Sequence, residues 1–349
     1  MASRECARPP ASMELKPRSD KALDMDKHAC VLTREAPTPL PATYGGAGWQ
    51  PRPGTLREEI TEGTIWHPCG CCTEWGPLKE VVLSWPGEEI NFAGHPNQYL
   101  MLARPDLTTL RRQTEGLVAM YESQGVQVHL ARPATPPPPN FLFMRDLFWA
   151  TPEGVVLARP AARQRAGEER YAAQSLAGLG VPLILHPHGQ ATFEGADALW
   201  MNERTVLVGV GVRTNDEGAR QLALLLGTMG VELLAVKLPQ GVQHLLGVVN
   251  FVDRDLAVLH GGKATPEISG VLASHEIKTL TLPPGEELKE RLGMNFVTLA
   301  PRRLVMPAHC PEIREQLERE GIEVLTAEVG EYLKAAGGLA CLTGILRRA

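Results

Sequence analysis

Met229-Gly230-Val231-Glu232-Leu233-Leu234 is one of five versions of the same phrase in this chain. The others are Tyr121-Glu122-Ser123-Gln124-Gly125-Val126-Gln127-Val128, Leu179-Gly180-Val181-Pro182-Leu183-Ile184, His275-Glu276-Ile277-Lys278-Thr279-Leu280 and Glu320-Gly321-Ile322-Glu323-Val324-Leu325. Each ends a helical segment, where glycine suits a left-handed backbone, and opens a β-branched strand. Complementary strands stand upstream at Leu78 to Trp85, Phe141 to Ala150 with Gly154 to Ala158, Ala198 to Val212, Leu246 to Leu259 and Phe296 to Met306. The phrase recurs every ~45 to 55 residues, a period that marks a repeat array and not a Rossmann-type sheet. A unit of two or three short strands and one helix cannot bury its own apolar face, so the five should close into a ring. The expected fold is an α/β, five-bladed pseudo-symmetric propeller of ββαβ-type repeats, with its chemistry where the rims of the units converge.

The 349 residues, 44% hydrophobic and 21% charged, are enough for one sizeable core. A net charge of -5 without a basic stripe argues against a nucleic-acid partner. No apolar run reaches the ~18 residues of a membrane helix, and Met1 to Cys6 lacks the apolar core of a signal peptide. Seven cysteines without a pairing framework suit a reducing compartment, so a cytoplasmic location is expected. Residues 1–60 mix charges, prolines and small residues without periodicity and are expected to form a tail or loosely attached arm, with residues 61–349 as a single catalytic domain. His67-Pro68-Cys69-Gly70-Cys71-Cys72 is dense in thiols, but Cys-x-Cys-Cys without a second pair reads as a loop before the first strand, not a metal site. The Leu222 to Leu226 face reads as core. Neither cofactor nor metal is expected, and self-association is left open.

Polar residues stand at the heads of the units. In Phe141 to Asp146 the alternation marks a strand with Asp146 near its end, and Arg145 then points to the opposite face. Glu194 and Asp197 bracket Gly195-Ala196 at the head of the third unit, and His244 opens the fourth. The last unit closes on Gly337-Gly338-Leu339-Ala340-Cys341, where two glycines permit close approach or positive φ and deliver a cysteine. Alone, a free cysteine is more often packing than chemistry. Together, an acid, an acid, a histidine and a cysteine at converging rims resemble a nucleophile with its acid–base partner.

With these residues in place, the chain resembles, over residues 73 to 348, the guanidino-group modifying enzymes of the pentein superfamily: arginine deiminases, dimethylarginine dimethylaminohydrolases and amidinotransferases. The resemblance implies that Asp146 holds a substrate guanidinium and that Asn140 helps at the amino-acid end. It implies that Glu194 hydrogen-bonds the catalytic His244 and that Cys341 is the nucleophile. Arg213 resembles the arginine that binds a substrate α-carboxylate, with Arg165 as a second; Arg213 is also readable as a surface residue before the helix that starts at Asp216. Where deiminases and amidinotransferases have His-Leu-Asp, this chain has His244-Leu245-Leu246, which leaves an apolar space beside the guanidinium and suits a substituted nitrogen.

The implied partner is a small guanidino substrate. The expected reaction is hydrolysis of a guanidino carbon–nitrogen bond of arginine or an Nω-substituted arginine through a Cys341 amidino-thioether. An amidinotransferase is the alternative, because the first half-reaction is shared and Glu74-Trp75-Gly76-Pro77-Leu78-Lys79-Glu80 looks like the opening of that branch. A non-catalytic binding protein on the same propeller has no need of Cys341, His244, Glu194 and Asp146 together.

Overall fold

The computed structural model of the chain describes residues 39–349. It divides into a unit ending at Pro53 and a unit spanning Gly54–Ala349. Much of the arm expected over residues 1–60 lies outside the described residues. Before Gly54 the described chain forms one short helical turn, Ala42–Tyr44, and a bridge between Pro41 and Ala47. Helix α1 (Leu56–Glu62) starts with a capping box, in which Thr55 accepts from the Glu58 amide and Glu58 bonds back to the Thr55 amide. Its Ile60 is buried in the core, so the larger unit takes in residues ahead of 61.

That unit contains five three-stranded sheets of one design. The strands are β1 (Leu78–Ser84), β2 (Gln127–Ala131), β3 (Phe148–Thr151), β4 (Gly154–Leu157), β5 (Leu183–Leu185), β6 (Ala198–Asn202), β7 (Thr205–Val210), β8 (Glu232–Lys237), β9 (Val249–Asp253), β10 (Leu256–His260), β11 (Lys278–Leu282), β12 (Val297–Ala300), β13 (Arg303–Pro307), β14 (Glu323–Ala327) and β15 (Gly344–Arg348). In four sheets an antiparallel hairpin continues through a helix into a parallel third strand: β3-β4-β5, β6-β7-β8, β9-β10-β11 and β12-β13-β14. The remaining sheet has the same pattern assembled from both ends of the chain, with β15 antiparallel to β1 and β1 parallel to β2. Consecutive sheets touch through β15 and β3, β3 and the turn Gly195–Asp197, β6 and the turn Leu245–Gly247, and β9 and β12. Contact between β12 and β1 brings the fifth sheet to the first, which fits the expected five-bladed propeller.

The crossover helices are α2 (Leu107–Ser123), α4 (Glu168–Gly178), α5 (Asp216–Thr228), α6 (Pro266–Ser274) and α8 (Pro311–Arg319), and the shorter α3 (Met144–Leu147) and α7 (Glu286–Lys289) precede β3 and β12. Helix α5 shows the local logic. Asn215 caps it by accepting from the Gly218 amide, Asp216 and Glu217 favour its positive end, and Ala219, Leu222 and Leu226 face the core. The five phrases end their helices as expected, with positive φ at Gly125, Gly180, Gly230 and Gly321 and at Glu276 in the fourth unit.

One expected strand is absent. Phe141–Asp146 folds as two short helical turns, Pro139–Leu142 and α3, and β3 begins only at Phe148. Phe141, Leu142, Phe143 and Met144 are all buried, so the run has no solvent face and its apparent alternation carries no strand signal.

The turn at Gly195 packs directly against the backbone that carries Asp146. A Cβ there would lie 2.4 Å from the Phe148 carbonyl oxygen and 2.6 Å from that of Arg145. Backbone cannot retreat as a flexible side chain can, so Gly195→Ala should cost about 1–3 kcal/mol by overpacking. A lower midpoint in urea unfolding, with m unchanged, is the expected result.

Candidate active site

Asp146 sits in the single turn of α3, its amide bonded to the Phe143 carbonyl. Its neighbour Arg145 turns away to pair with Glu74 at 2.9 Å, which makes Glu74 part of the core and not of the site. Glu194 lies at the N-terminal edge of the Gly195–Asp197 turn and is wholly buried. His244 stands where the chain enters the Leu245–Gly247 turn. Asp197 holds that turn in place: one carboxylate oxygen accepts from the Leu245 amide at 2.9 Å and the other from the Thr214 hydroxyl at 2.7 Å. Burial pushes the Asp197 carboxyl up to about 7.

These elements bring the expected acid–histidine pair together. Nε2 of His244 is 2.8 Å from Glu194 Oε2, and Nδ1 is 3.8 Å from Asp146 Oδ1. Burial alone would lower the imidazole pKa, but Asp146, Asp197 and Glu194 outweigh it and raise it to about 9. Burial works against the charged form of Glu194 too, yet Arg165, His244 and Arg213 hold it well below the usual carboxylate range.

Arg165 departs from expectation. Its guanidinium is buried and spent on carboxylates, with Nη1 at 2.7 Å from Asp146 Oδ2 and 3.1 Å from Glu194 Oε2. Nε and Nη2 reach Glu168 Oε2 at 3.0 and 2.8 Å. A side chain so committed is a poor receptor for a substrate carboxylate; it balances the site's own acids. Arg213 differs. It is half-buried, and its one resolved bond is to Glu194 Oε1 at 3.3 Å.

Cys341 lies in the short helix α9 (Leu339–Leu342). Of the preceding residues it is Ala336, not a glycine, that takes the left-handed backbone, at φ 65. The glycines serve close approach instead: a Cβ on Gly337 would meet the Phe143 ring and one on Gly338 the Asn295 amide. Asn295 is a site residue that the sequence reading missed. Its Oδ1 accepts from the amides of Ala340 at 2.7 Å and Cys341 at 3.3 Å, and its Nδ2 donates to Cys341 Sγ at 3.3 Å. The repeat held the clue, because Glu194 and His244 head the third and fourth units and Asn295 stands at the head of the fifth. Burial, then the charge of Asp146, pushes the thiol up to about 11, while Asn295 and Arg165 pull it down.

A narrow space of about 20 Å³ is lined by Asn140, Asp146, Arg165, Arg213, His244 and Cys341, while Glu194 lies outside its wall and is bonded to His244. Two acceptors here stay open. Asp146 Oδ1 is buried without a hydrogen-bond partner, and so is Asn140 Oδ1, although the Asn140 amide donates to the Tyr99 carbonyl. A wider cavity of about 480 Å³ shares Cys341 and His244 with it and has buried Leu246 in its wall. Arg213 thus faces the site and is not a purely surface residue.

The thiol-rich segment has a different role. Gly70 bonds to Leu346 and Arg348 of β15, and burial pushes Cys69 and Cys71 up to about 12, where thiols are inert. His67 and His129 both bond Glu80 Oε2, at 2.7 and 3.0 Å, and Arg347 bonds Oε1, which ties this segment to the first sheet. The ligand atoms of His67, Glu80 and His129, and likewise of Asp146, Glu194 and His244, lie within 4.8 Å of one another. In the second group the Arg165 guanidinium supplies the positive charge between the carboxylates, so a metal ion is not needed to explain their burial.

Residues 108–269 match the arginine deiminase family model. A dimethylarginine dimethylaminohydrolase of Streptomyces coelicolor is 28% identical over 211 residues, covering 60% of this chain and 75% of that protein. Among solved structures, a cysteine-to-serine mutant of the Pseudomonas aeruginosa dimethylarginine dimethylaminohydrolase, complexed with citrulline, aligns with a TM-score of 0.64 at 23% identity over 78% of this chain and all of that one. An amidinotransferase of saxitoxin biosynthesis from Microseira wollei aligns with a TM-score of 0.65 at 16% identity over 80% and 97%. The two structural likenesses speak for the fold.

Two outcomes are expected. His244 is raised on folding, so the stability it contributes is complete below its unfolded value near ~6.5 and is lost as pH climbs through about 9. Thermal midpoints of the protein should therefore fall between those pH values more steeply than those of His244→Asn. Asn295→Ala removes a donor to sulfur, so alkylation of Cys341 by iodoacetamide at pH 8 should slow several-fold, with its rate profile displaced to higher pH.

Proposed function

We propose that this chain, which belongs to the pentein superfamily of guanidino-group modifying enzymes, hydrolyses a guanidino carbon–nitrogen bond of arginine or an Nω-substituted arginine. The observation that carries the reading is the buried Asp146 Oδ1 beside Cys341 and His244, which accepts no hydrogen bond and has only the His244 ring at 3.8 Å. An open carboxylate oxygen in such a place is costly unless a donor comes to it, and a guanidinium brings several. Asn140 Oδ1, also open, suits an α-ammonium, and Arg213 suits an α-carboxylate.

In the free site His244 is an imidazolium at neutral pH and Cys341 a neutral thiol, given values near 9 and 11. An arriving guanidinium neutralises Asp146 and places positive charge next to sulfur, both of which favour the thiolate; the thiol proton leaves to solvent. The thiolate forms a bond to the guanidinium carbon. Because Nε2 is held by Glu194, Nδ1 of His244 is the nitrogen that gives its proton to the departing amine as the carbon–nitrogen bond breaks. Neutral His244 then takes a proton from water, the water oxygen attacks the amidino carbon, and the thiolate is expelled. The products are a ureido amino acid and an amine. Glu194 and Asp146 keep the imidazole charged and oriented until it is needed.

The Glu74–Glu80 segment, which carried the likeness to the transferase branch, lines neither space at Cys341, and its Glu74 is paired with Arg145 in the core. The five-bladed propeller supplies the converging rims that this chemistry uses. Incubation with arginine and with Nω,Nω-dimethylarginine, without added amine, should yield citrulline from at least one of them. Cys341→Ser and Asp146→Asn should each lower the rate by about 10³-fold or more. Ornithine appearing only when an amine acceptor is present would replace hydrolysis with transfer.

A further inference from the structure

The first sheet carries a second polar cluster, which the chemistry at Cys341 does not use. Glu80 on β1 is the cross-strand partner of Arg347 on β15 and of Gln127 on β2, two residues before His129. Cross-strand partners and residues two apart share a face, so Arg347, Glu80 and His129 stand on one side of the sheet. His67 reaches the same place from the segment ahead of β1. Nε2 of His67 and Nε2 of His129 lie 2.7 and 3.0 Å from a single atom, Glu80 Oε2, and the three lie within 4.8 Å of one another. We propose that His67, His129 and Glu80 form a binding site for a divalent transition-metal ion of the zinc class, which clips the segment ahead of β1 to the first sheet. The site is independent of the hydrolase reading.

The donor set selects the ion. Two imidazole nitrogens and a carboxylate oxygen suit zinc, copper or nickel, not magnesium or calcium, and they leave a fourth tetrahedral position to water. Cys69, two residues after His67, is not among the converging atoms. The geometry is nearly made: ligand atoms ~2.0 to 2.1 Å from a tetrahedral ion are about 3.4 Å apart, so each nitrogen need retreat from Oε2 by only a few tenths of an ångström. The Glu80 side chain is buried, whereas those of His67 and His129 are 22% and 13% exposed, which gives an ion a way in. Each hydrogen bond to Oε2 needs a proton on Nε2. An ion takes the place of those protons, and a neutral ring then carries its proton on Nδ1.

Charge and backbone both favour the ion here. Burial alone would raise the Glu80 carboxyl, but His129, His67 and Arg347 hold it down at about 2, so it is ionised at neutral pH. Arg347 bonds the other oxygen, Oε1, from Nε at 2.6 Å. A partner in that place orients a metal ligand without taking up its free oxygen. At Asp146, Glu194 and His244, by contrast, Arg165 bonds both carboxylates and is itself the cation. The backbone places the three donors beforehand. The His67 amide donates to the Gly180 carbonyl, the Gly70 amide donates to that of Leu346, and β1 and β2 are paired from Glu80 to Ser84. Donors fixed on separately anchored segments lose little freedom when an ion binds.

The test is titration with Co2+, followed by optical absorption, of the full chain carrying Cys341→Ser and stripped with EDTA. One Co2+ per chain should bind, with a tetrahedral visible spectrum and no sulfur-to-cobalt charge-transfer band, because no thiolate is in the set. His67→Gln and His129→Gln keep a hydrogen-bond donor toward Glu80 and so preserve the fold, which far-UV circular dichroism checks, but each should weaken Co2+ binding about 100-fold or more. Zinc at a hundredfold excess over its Kd should raise the thermal midpoint of the parent by about 5 °C and that of either variant by much less. A sulfur band, or binding that both histidine variants retain, puts the ion elsewhere and overturns the site. Failure of the parent to bind Co2+ or Zn2+ at millimolar metal overturns it as well.

Discussion

The site depends on one buried guanidinium. Arg165 bonds Asp146, Glu194 and Glu168 at once, in a place where water cannot screen them. Three carboxylates gathered there without it would repel one another and take up protons. Glu168 shows how close the balance is, because burial still pushes it up to about 7 against the pull of Arg165. A buried ion pair adds little net stability, since desolvation offsets most of the attraction. What Arg165 provides is specificity of arrangement: Glu194 stays ionised and aimed at His244, and Asp146 keeps one oxygen bonded and one open.

That arrangement can exist only because the five sheets bring their heads to one place. Asp146, Glu194, His244 and Asn295 precede the first strands of the second to fifth sheets, and Cys341 precedes the strand that returns to the first. Asp146 and Cys341 lie in short helical turns, Glu194 and His244 stand just before such turns, and Asn295 is in the loop ahead of β12. Gly195 packs against the carbonyls of residues 145 and 148, and Asp197 binds the Leu245 amide. The pairing of β15 with β1 then joins the two ends of the chain, and that pairing fixes where Cys341 sits.

The thiol and the imidazole are both raised above their ordinary values by the same surroundings. Burial raises the thiol and opposes the imidazolium, while negative charge from Asp146 raises both values. Asn295 moderates the penalty on the thiolate and clamps the turn on which the cysteine rides. A purely apolar residue at 295 would leave both the turn and the sulfur without that support.

Repetition was legible in the sequence because each unit repeats a physical solution: a helix, a left-handed stop and a strand, at positions where glycine or a small substitute is cheapest. Asp146, Glu194, His244 and Cys341 are named from the resemblance of their motifs, and the fold brings Asp146, His244 and Cys341 to one space with Glu194 bonded to His244. Tertiary structure decided the rest. The run from Phe141 to Asp146 is buried on every side, so no pattern in it distinguished strand from helical turn. Arg165 looked free to bind a substrate until the fold surrounded it with acids, and Asn295 gained its role only when a segment 46 residues away was folded onto it. Periodicity and local stops act between near neighbours and are written in order along the chain. Charge balance and the partners of a buried side chain are set by distances through space, and those exist only once the sheets have closed.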